Sequence, residues 1–204
     1  MKNLTLSALA VLAATAAAPA FAQEAGDWTI GLGIANVNPK SGNGELDAIV
    51  PGAGIDVGSD TQLSFTAEYF FTPNIGLEIL AATPFSHDIS IEGVGDAGDT
   101  KHLPPTISVN YHFTNFEGFK PYIGVGLNYT NFFQESSPLG KLELDDSFGL
   151  AAQIGVDIPV TETGALRLNA RYIDIDTDVK LNGTKIGTAE IDPVVLGIAY
   201  VMTF

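Results

Sequence analysis

Arginine and carboxylate side chains occupy positions from which they could form one buried ionic cluster. Arg167 and Arg171 are the only arginines in the chain, and they lie four residues apart. Side chains alternate between the two faces of a strand, so residues four apart share a face. A guanidinium group removed from water needs carboxylate partners. Glu68, Glu78 and Asp157 are the partners that we expect, because each lies on the more polar face of its segment.

The same alternation assigns uncharged polar side chains to this face. We predict a polar layer that consists of Glu68, Glu78, His112, Gln153, Asp157, Arg167 and Arg171, with Asn110, Tyr122, Asn128 and Asn169 also on the inward face. Inward side chains of a small barrel either fill its interior or surround a ligand. The layer is therefore either a structural plug or a polar constriction that controls permeation, and the sequence leaves both open.

Eight segments with period-two alternation position these side chains. Apolar residues alternate with small or polar ones, the pattern of a strand with two different faces. No stretch after residue 22 shows a helical period of useful length. The segments are 28–37, 61–71, 75–81, 107–113, 122–129, 148–158, 166–172 and 194–204.

The connections between these segments alternate in length. Short connections at 72–74, 114–120 and 159–164 are expected to be periplasmic turns. Long connections occupy 38–60, 83–104, 130–147 and 173–192, and they contain 17 of the 24 acidic residues. A soluble β-sandwich has no reason to alternate in this way, whereas an outer-membrane barrel does. The sequence therefore predicts an all-β fold, an eight-stranded antiparallel transmembrane β-barrel of the outer-membrane type, with its long loops outside the cell.

The N-terminus has the three-part pattern of a secretory signal peptide. Lys2 supplies the positive charge, residues 4–18 are apolar but too short to span a bilayer, and Ala20 and Ala22 form an A-x-A cleavage pattern. We expect cleavage after Ala22, which divides the chain into a signal peptide (1–22) and a barrel (23–204). The predicted location is the bacterial outer membrane, with membrane lipid and lipopolysaccharide as partners.

The C-terminal residues resemble an outer-membrane assembly signal. The last segment alternates apolar residues and ends in an aromatic side chain, and its outward positions include Tyr200, Met202 and Phe204. This arrangement is similar to the signal that the bacterial barrel-assembly machinery reads. We therefore expect that machinery to be a partner during membrane insertion.

Composition argues against several other functions. The formal net charge is −15, which disfavours nucleic-acid binding, and the absence of cysteine excludes disulfides and thiolate chemistry. Asp174, Asp176 and Asp178 resemble the opening of a calcium loop, but Val179 replaces the required glycine. We interpret these acids as solvated and facing lipopolysaccharide, with cation bridging to lipid phosphates as a side hypothesis. No serine–histidine pair with a carboxylate emerges, so we expect neither an enzyme nor a cofactor.

Several motifs resemble those of the outer membrane protein W (OmpW) family of small eight-stranded barrels. They are the segment HLPPT at 102–106, the segment KPYIGVGLNYTNFF at 120–133, the segment YIDIDT at 172–177 and the segment IDP at 191–193. The resemblance covers the whole chain after the signal peptide. It implies a narrow channel of hydrophobic character that is linked to passage of small apolar compounds.

An apolar path toward the extracellular end would suit such a channel. Val37, Phe70, Leu80 and Val195 are the large apolar residues among otherwise small inward positions, and a small apolar ligand could pass along them. The alternative is a non-conducting structural or adhesive barrel with acidic extracellular loops.

Overall fold

The computed structural model describes residues 23–45 and 52–204, so the predicted signal peptide lies outside the described residues. Strands make up nearly all the regular structure there. Their bounds are β1 (Trp28–Asn38), β2 (Ile55–Val57), β3 (Asp60–Thr72), β4 (Ile75–Ala82), β5 (Phe85–Ile91), β6 (Gly95–Leu103), β7 (Thr106–His112), β8 (Lys120–Ser136), β9 (Leu142–Leu144), β10 (Ser147–Pro159), β11 (Gly164–Ile173), β12 (Asp176–Leu181), β13 (Thr184–Glu190) and β14 (Val194–Thr203). No helix in the described ranges is long and apolar enough to cross a membrane.

Eight of these strands form a closed antiparallel barrel. The order around the wall is β10, β11, β14, β1, β3, β4, β7 and β8, and pairing of β8 with β10 closes the ring. Closure satisfies the backbone hydrogen bonds of both edge strands, which is required of a sheet that crosses lipid. The structure therefore confirms the predicted eight-stranded transmembrane β-barrel.

The outer face of the barrel is apolar. Side chains such as Leu32, Val125 and Leu150 are at least half exposed and face the space that lipid would fill, whereas their neighbours along each strand are buried or half-buried. Exposed aromatic side chains cluster at the turn end, including Trp28 and Phe71. This pattern is the inverse of a soluble barrel and is typical of a lipid-facing wall with aromatic girdles.

The prediction of long connections without secondary structure was wrong. Six strands lie in these connections: β2, β5 and β6 continue the sheet beyond β8, and β9, β12 and β13 form a separate three-stranded sheet. β8 itself extends to Ser136, seven residues beyond the predicted strand. The period-two pattern continues through Phe85, His87, Ile89 and Ile91, and the residues between them are polar and exposed. The extracellular part is consequently built on hairpins.

The seam between β1 and β14 gives a prediction about barrel stability. Gly33 lies opposite Ala199, and a Cβ atom at Gly33 would collide with the Ile198 carbonyl oxygen. We expect Gly33→Val to separate the two strands and to lower the free energy of unfolding by about 1–3 kcal/mol. Urea titration in detergent micelles measures the change.

The control for this substitution lies beside it on β1. Leu32 projects from the lipid-facing side and is 57% exposed, so Leu32→Val removes one methylene without pushing the strands apart. Equal unfolding free energies for the two variants would show that the seam does not depend on close backbone approach at Gly33.

Candidate functional site

Arg167 is the centre of a buried ionic layer that crosses the barrel interior. Its Nε and Nη2 atoms donate hydrogen bonds of 2.7 and 2.8 Å to the two carboxylate oxygens of Asp157, a strand neighbour. Nη1 lies 2.9 Å from Glu78 Oε2, and Nη2 lies 3.1 Å from Glu68 Oε2. All four side chains are no more than about 3% exposed. One guanidinium group therefore joins carboxylates from three strands, two of them on the opposite side of the barrel.

The second arginine joins the same network. Arg171 Nη2 donates to Glu78 Oε1 at 2.6 Å and to Gln153 Oε1 at 2.7 Å. Gln153 Nε2 in turn donates to Glu78 Oε1 at 3.0 Å and to Asn110 Oδ1 at 2.7 Å. Both oxygens of Glu78 are consequently bound by arginine, as charge-assisted hydrogen bonds favour.

His112 and two further inward side chains complete the layer on its periplasmic side. His112 Nε2 lies 2.8 Å from Glu68 Oε1, which also accepts a hydrogen bond from Asn110. The Tyr122 ring stacks on His112 with centroids 4.9 Å apart, and the Arg167 guanidinium carbon lies 4.8 Å from the Tyr122 ring centroid. The structure thus brings together all seven residues of the predicted layer, with Asn110 and Tyr122 added.

The layer leaves little open space in the barrel. The cavity immediately above it has a volume of about 20 Å³ and is lined in part by Glu78, Leu80, Arg171 and Val195. A water molecule needs about 10–15 Å³ by this measure, so this cavity has room for about one water molecule beside the arginines.

The predicted apolar path is divided between two levels, and the placement of Phe70 toward the extracellular end was wrong. Phe70 lies at the periplasmic end, with its ring centroid 5.1 Å from that of His112. β3 runs toward the periplasm, and Phe70 lies beside the turn into β4. Val37 and Val195 lie above the layer, and Leu80 borders the small cavity.

An apolar cluster closes the barrel above the ionic layer, and we call it the neck. Its buried members come from barrel strands and from the first residues of the extracellular extensions. They are Ala35, Val37, Phe85, Phe132, Ala151, Ile173, Ile175, Ile191 and Val195. Solutes that move from outside toward the barrel interior must pass this cluster.

An apolar pocket lies between the two extracellular sheets, beyond the neck. Its volume is about 40 Å³ in this conformation. The lining side chains come from both sheets and are mainly aliphatic. They include Ile55, Val57, Ile89, Ile91, Ala97, Phe132, Leu142, Leu144, Val179, Leu181, Ile186 and Ala189, with His87 and Thr100 among the few polar members. The prediction of long acidic loops did not include this pocket, although the alternation along 85–91 could have indicated it.

Two histidines stack where the pocket meets the neck. His87 Nε2 lies 2.8 Å from His102 Nε2, and the two ring centroids are 4.8 Å apart. The rings also stack on Phe85, and His102 packs on Phe132. Burial lowers the pKa of His102 to about 3 and also lowers the pKa of His87. Both rings are therefore neutral at neutral pH.

The acidic residues that lie close together near the extracellular rim are not the three that the sequence spacing suggested. Carboxylate oxygens of Asp174, Asp176 and Asp192 lie within 4.8 Å of one another, and Lys40 Nζ lies 2.9 Å from Asp192 Oδ2. Asp178 instead accepts hydrogen bonds from Thr188 and Lys185. The spacing 174, 176 and 178 consequently does not correspond to one ligand set.

Comparison with known proteins identifies the family. The OmpW family pattern matches residues 24–204. Outer membrane protein W from Vibrio cholerae serotype O1 is 43% identical, over 96% of both chains. The chain belongs to the OmpW family. Among solved structures, the outer membrane protein OprG from Pseudomonas aeruginosa is 33% identical with a TM-score of 0.78, and the match covers 90% of this chain and 98% of OprG.

A more distant relative of this OmpW-family chain has a name that refers to a metabolic operon. It is the dibenzothiophene metabolism operon protein PahQ from Pseudomonas aeruginosa, which is 25% identical over 79% of each chain. The relatives and neighbours that define the family are outer membrane barrel proteins, and their names are not those of enzymes.

The ionic layer gives the second prediction. Arg167→Met would leave three buried carboxylates without their shared cation, and breaking one side of a buried ion pair costs about 3–5 kcal/mol. We expect the urea midpoint of the detergent-solubilised barrel to fall accordingly. Lys141→Met is the matched control, because its ion pair with Glu143 is exposed, and we expect no measurable change. Equal midpoints for the two variants would contradict a structural role of the layer.

Proposed function

We propose that this OmpW-family chain is an outer-membrane channel that takes up small apolar molecules through its extracellular pocket. The observation that carries the proposal is the pocket itself, which lies between the two extracellular sheets and is lined mainly by aliphatic side chains. Burying apolar surface there is favourable by about 25 cal/mol per Å², whereas a polar solute would lose hydrogen bonds to water. The metabolic name of PahQ agrees with an apolar solute.

Uptake through this pocket requires the two extracellular sheets to separate slightly. A volume of about 40 Å³ is smaller than an aromatic ring system, so bound solute must displace side chains. The sheets are joined at one edge by Asn43, whose backbone N–H donates to Ile55 and whose side chain donates to the Glu190 carbonyl. The centre of the contact is apolar and has no such directional bonds, which favours opening around Asn43.

The ionic layer makes a sideways exit into lipid more favourable than passage straight through the barrel. An apolar solute would have to displace hydrogen bonds between Arg167, Arg171 and their carboxylates, which costs several kcal/mol. The wall has a discontinuity above the layer, because β4 pairs with β7 only as far as Leu80 and Thr106. The residues that follow toward the outside are Pro104 and Pro105, which have no N–H group to donate.

A second candidate function is a non-conducting structural barrel, and the closed interior at the arginines favours it. In both cases we expect the protein to lie in the outer membrane among lipid and lipopolysaccharide. We also expect the barrel-assembly machinery to read the C-terminal strand, on which Tyr200, Met202 and Phe204 are exposed on the lipid-facing side. The two functions differ in whether apolar solutes cross faster when the protein is present.

Uptake of the apolar fluorophore N-phenyl-1-naphthylamine by a bacterial host tests the proposal. Ile89 lines the pocket and Ser90 projects from the opposite face of β5, so Ile89→Asn and Ser90→Asn place the same amide inside and outside. We expect Ile89→Asn to slow uptake about five- to tenfold, corresponding to roughly 1–1.4 kcal/mol of lost binding, and Ser90→Asn to leave it unchanged.

Expression level is controlled by comparing the amount of folded, heat-modifiable barrel in isolated membranes. Identical uptake rates in hosts with the native protein and with an empty vector would contradict a channel and support the structural barrel. Equal slowing by both asparagine substitutions would show that the pocket is not the uptake site.

A further inference from the structure

We propose that the His87–His102 pair is an acid-sensitive latch that keeps the extracellular pocket closed in neutral medium and releases it in mildly acidic medium. The inference rests on the proposed function, because it assigns a regulation to the same pocket. His87 lines the pocket, and His102 contacts Phe132 of the neck. The pair therefore lies on the boundary that an apolar solute must cross.

The pair connects three segments of the extracellular part. His87 and His102 belong to the hairpin of β5 and β6. His87 Nδ1 lies 2.5 Å from the Gly58 carbonyl oxygen, in the connection that precedes β3. The His102 ring packs against that of Phe132 on β8, with centroids 5.7 Å apart. A change in charge on these rings would consequently loosen the hairpin from both of its neighbours at once.

The hydrogen bonds determine which nitrogen atom of each histidine ring carries the proton. A carbonyl oxygen only accepts, so His87 Nδ1 carries the proton that it donates to Gly58, and His87 Nε2 is an acceptor. His102 Nε2 then carries the proton that it donates to His87. His102 Nδ1 is the remaining acceptor, and it is buried without a hydrogen-bond partner among the described residues.

A further proton has no favourable position in this arrangement. On His87 Nε2 it would point at the N–H of His102, and on His102 Nδ1 it would be a buried cationic donor without an acceptor. Both rings are only 2% exposed. Protonation would therefore be accommodated by moving a ring into water, which separates the hairpin from the neck.

Nearby carboxylates oppose this effect only in part. Asp60 on β3 and Asp88 on β5 favour the charged rings. Asp60 already accepts hydrogen bonds from Ser86, Thr61 and Gln62, and Asp88 is exposed to solvent. The other charged groups on the extracellular parts of the packed strands are Asp56 on β2, Asp96, Asp99 and Lys101 on β6, and Glu135 on β8, whose carboxylate accepts a hydrogen bond from Leu144. Glu68 on β3 and Lys120 on β8 lie toward the periplasmic end of their strands. Burial remains the largest influence on the pKa of both histidines.

The sign of the pH effect follows from linkage. The pKa of each ring is lowered in the closed pocket, whereas an open, hydrated pocket gives a histidine its ordinary pKa of about 6.5. The open form therefore binds protons first as the pH falls below about 6.5. Between pH 7.5 and 5.5 the ratio of open to closed form rises about tenfold through His102 alone, and the lowered pKa of His87 shifts the ratio in the same direction.

Electron paramagnetic resonance distances can measure this opening directly. The chain has no cysteine, so spin labels at Glu92→Cys and Thr184→Cys report only the two hairpin tips that flank the pocket. In lipid nanodiscs we expect one short distance at pH 7.5 and an additional, longer distance at pH 5.5. The control adds His87→Asn and His102→Gln, which retain one N–H donor near each original position but do not titrate. We expect its distances to be the same at both pH values.

Uptake of N-phenyl-1-naphthylamine at the two pH values separates the latch from the proposed function. Longer distances with faster uptake at pH 5.5, both absent in the control, would support the latch and the channel. Longer distances without any protein-dependent uptake would support the latch and contradict the channel. Unchanged distances at pH 5.5, or the same change in the control, would overturn the latch, whether or not uptake occurs.

Discussion

Closure of the sheet by the pairing of β8 with β10 is the constraint on which the rest of the structure depends. In lipid, every backbone donor and acceptor must be paired within the protein, and a closed barrel achieves this without free edges. Closure then assigns alternate residues to an apolar exterior and a confined interior. The charged side chains that point inward must bind one another there, which produces the layer around Arg167.

This constraint separates the molecule into levels with different chemistry. The ionic layer fills the membrane-spanning interior, the neck covers it with apolar side chains, and the pocket lies between two sheets outside the barrel. Buried charge-assisted hydrogen bonds join the strands of the barrel at the ionic layer, so this lower part is held together more firmly than the upper part. The upper sheets meet through aliphatic contacts and a few polar links such as Asn43. Solute binding and regulation therefore both belong to the upper part.

The sequence predicted the barrel because alternation, connection length and the terminal aromatic residue agree with one another. It also indicated which side chains point inward, but not which ones meet. Glu68 and Arg167 lie on strands that are not neighbours, and the stagger of the strands decides their contact. Phe70 was assigned to the wrong end although the predicted periplasmic turn at 72–74 begins two residues after it, which already gives its level in the barrel. The pocket and the pair of His87 and His102 were missed because the short strands that carry them lie within connections whose length and acidity led us to interpret them as loops.

A structure of the protein with a bound brominated apolar compound, such as 1-bromonaphthalene, tests the central claim most directly. Anomalous scattering locates the bromine without dependence on the side-chain interpretation. The account predicts a bromine site between β5 and β12, in contact with Ile89 and Val179 and above the neck. Bromine sites confined to the lipid-facing wall, with the pocket and neck unchanged, would contradict it.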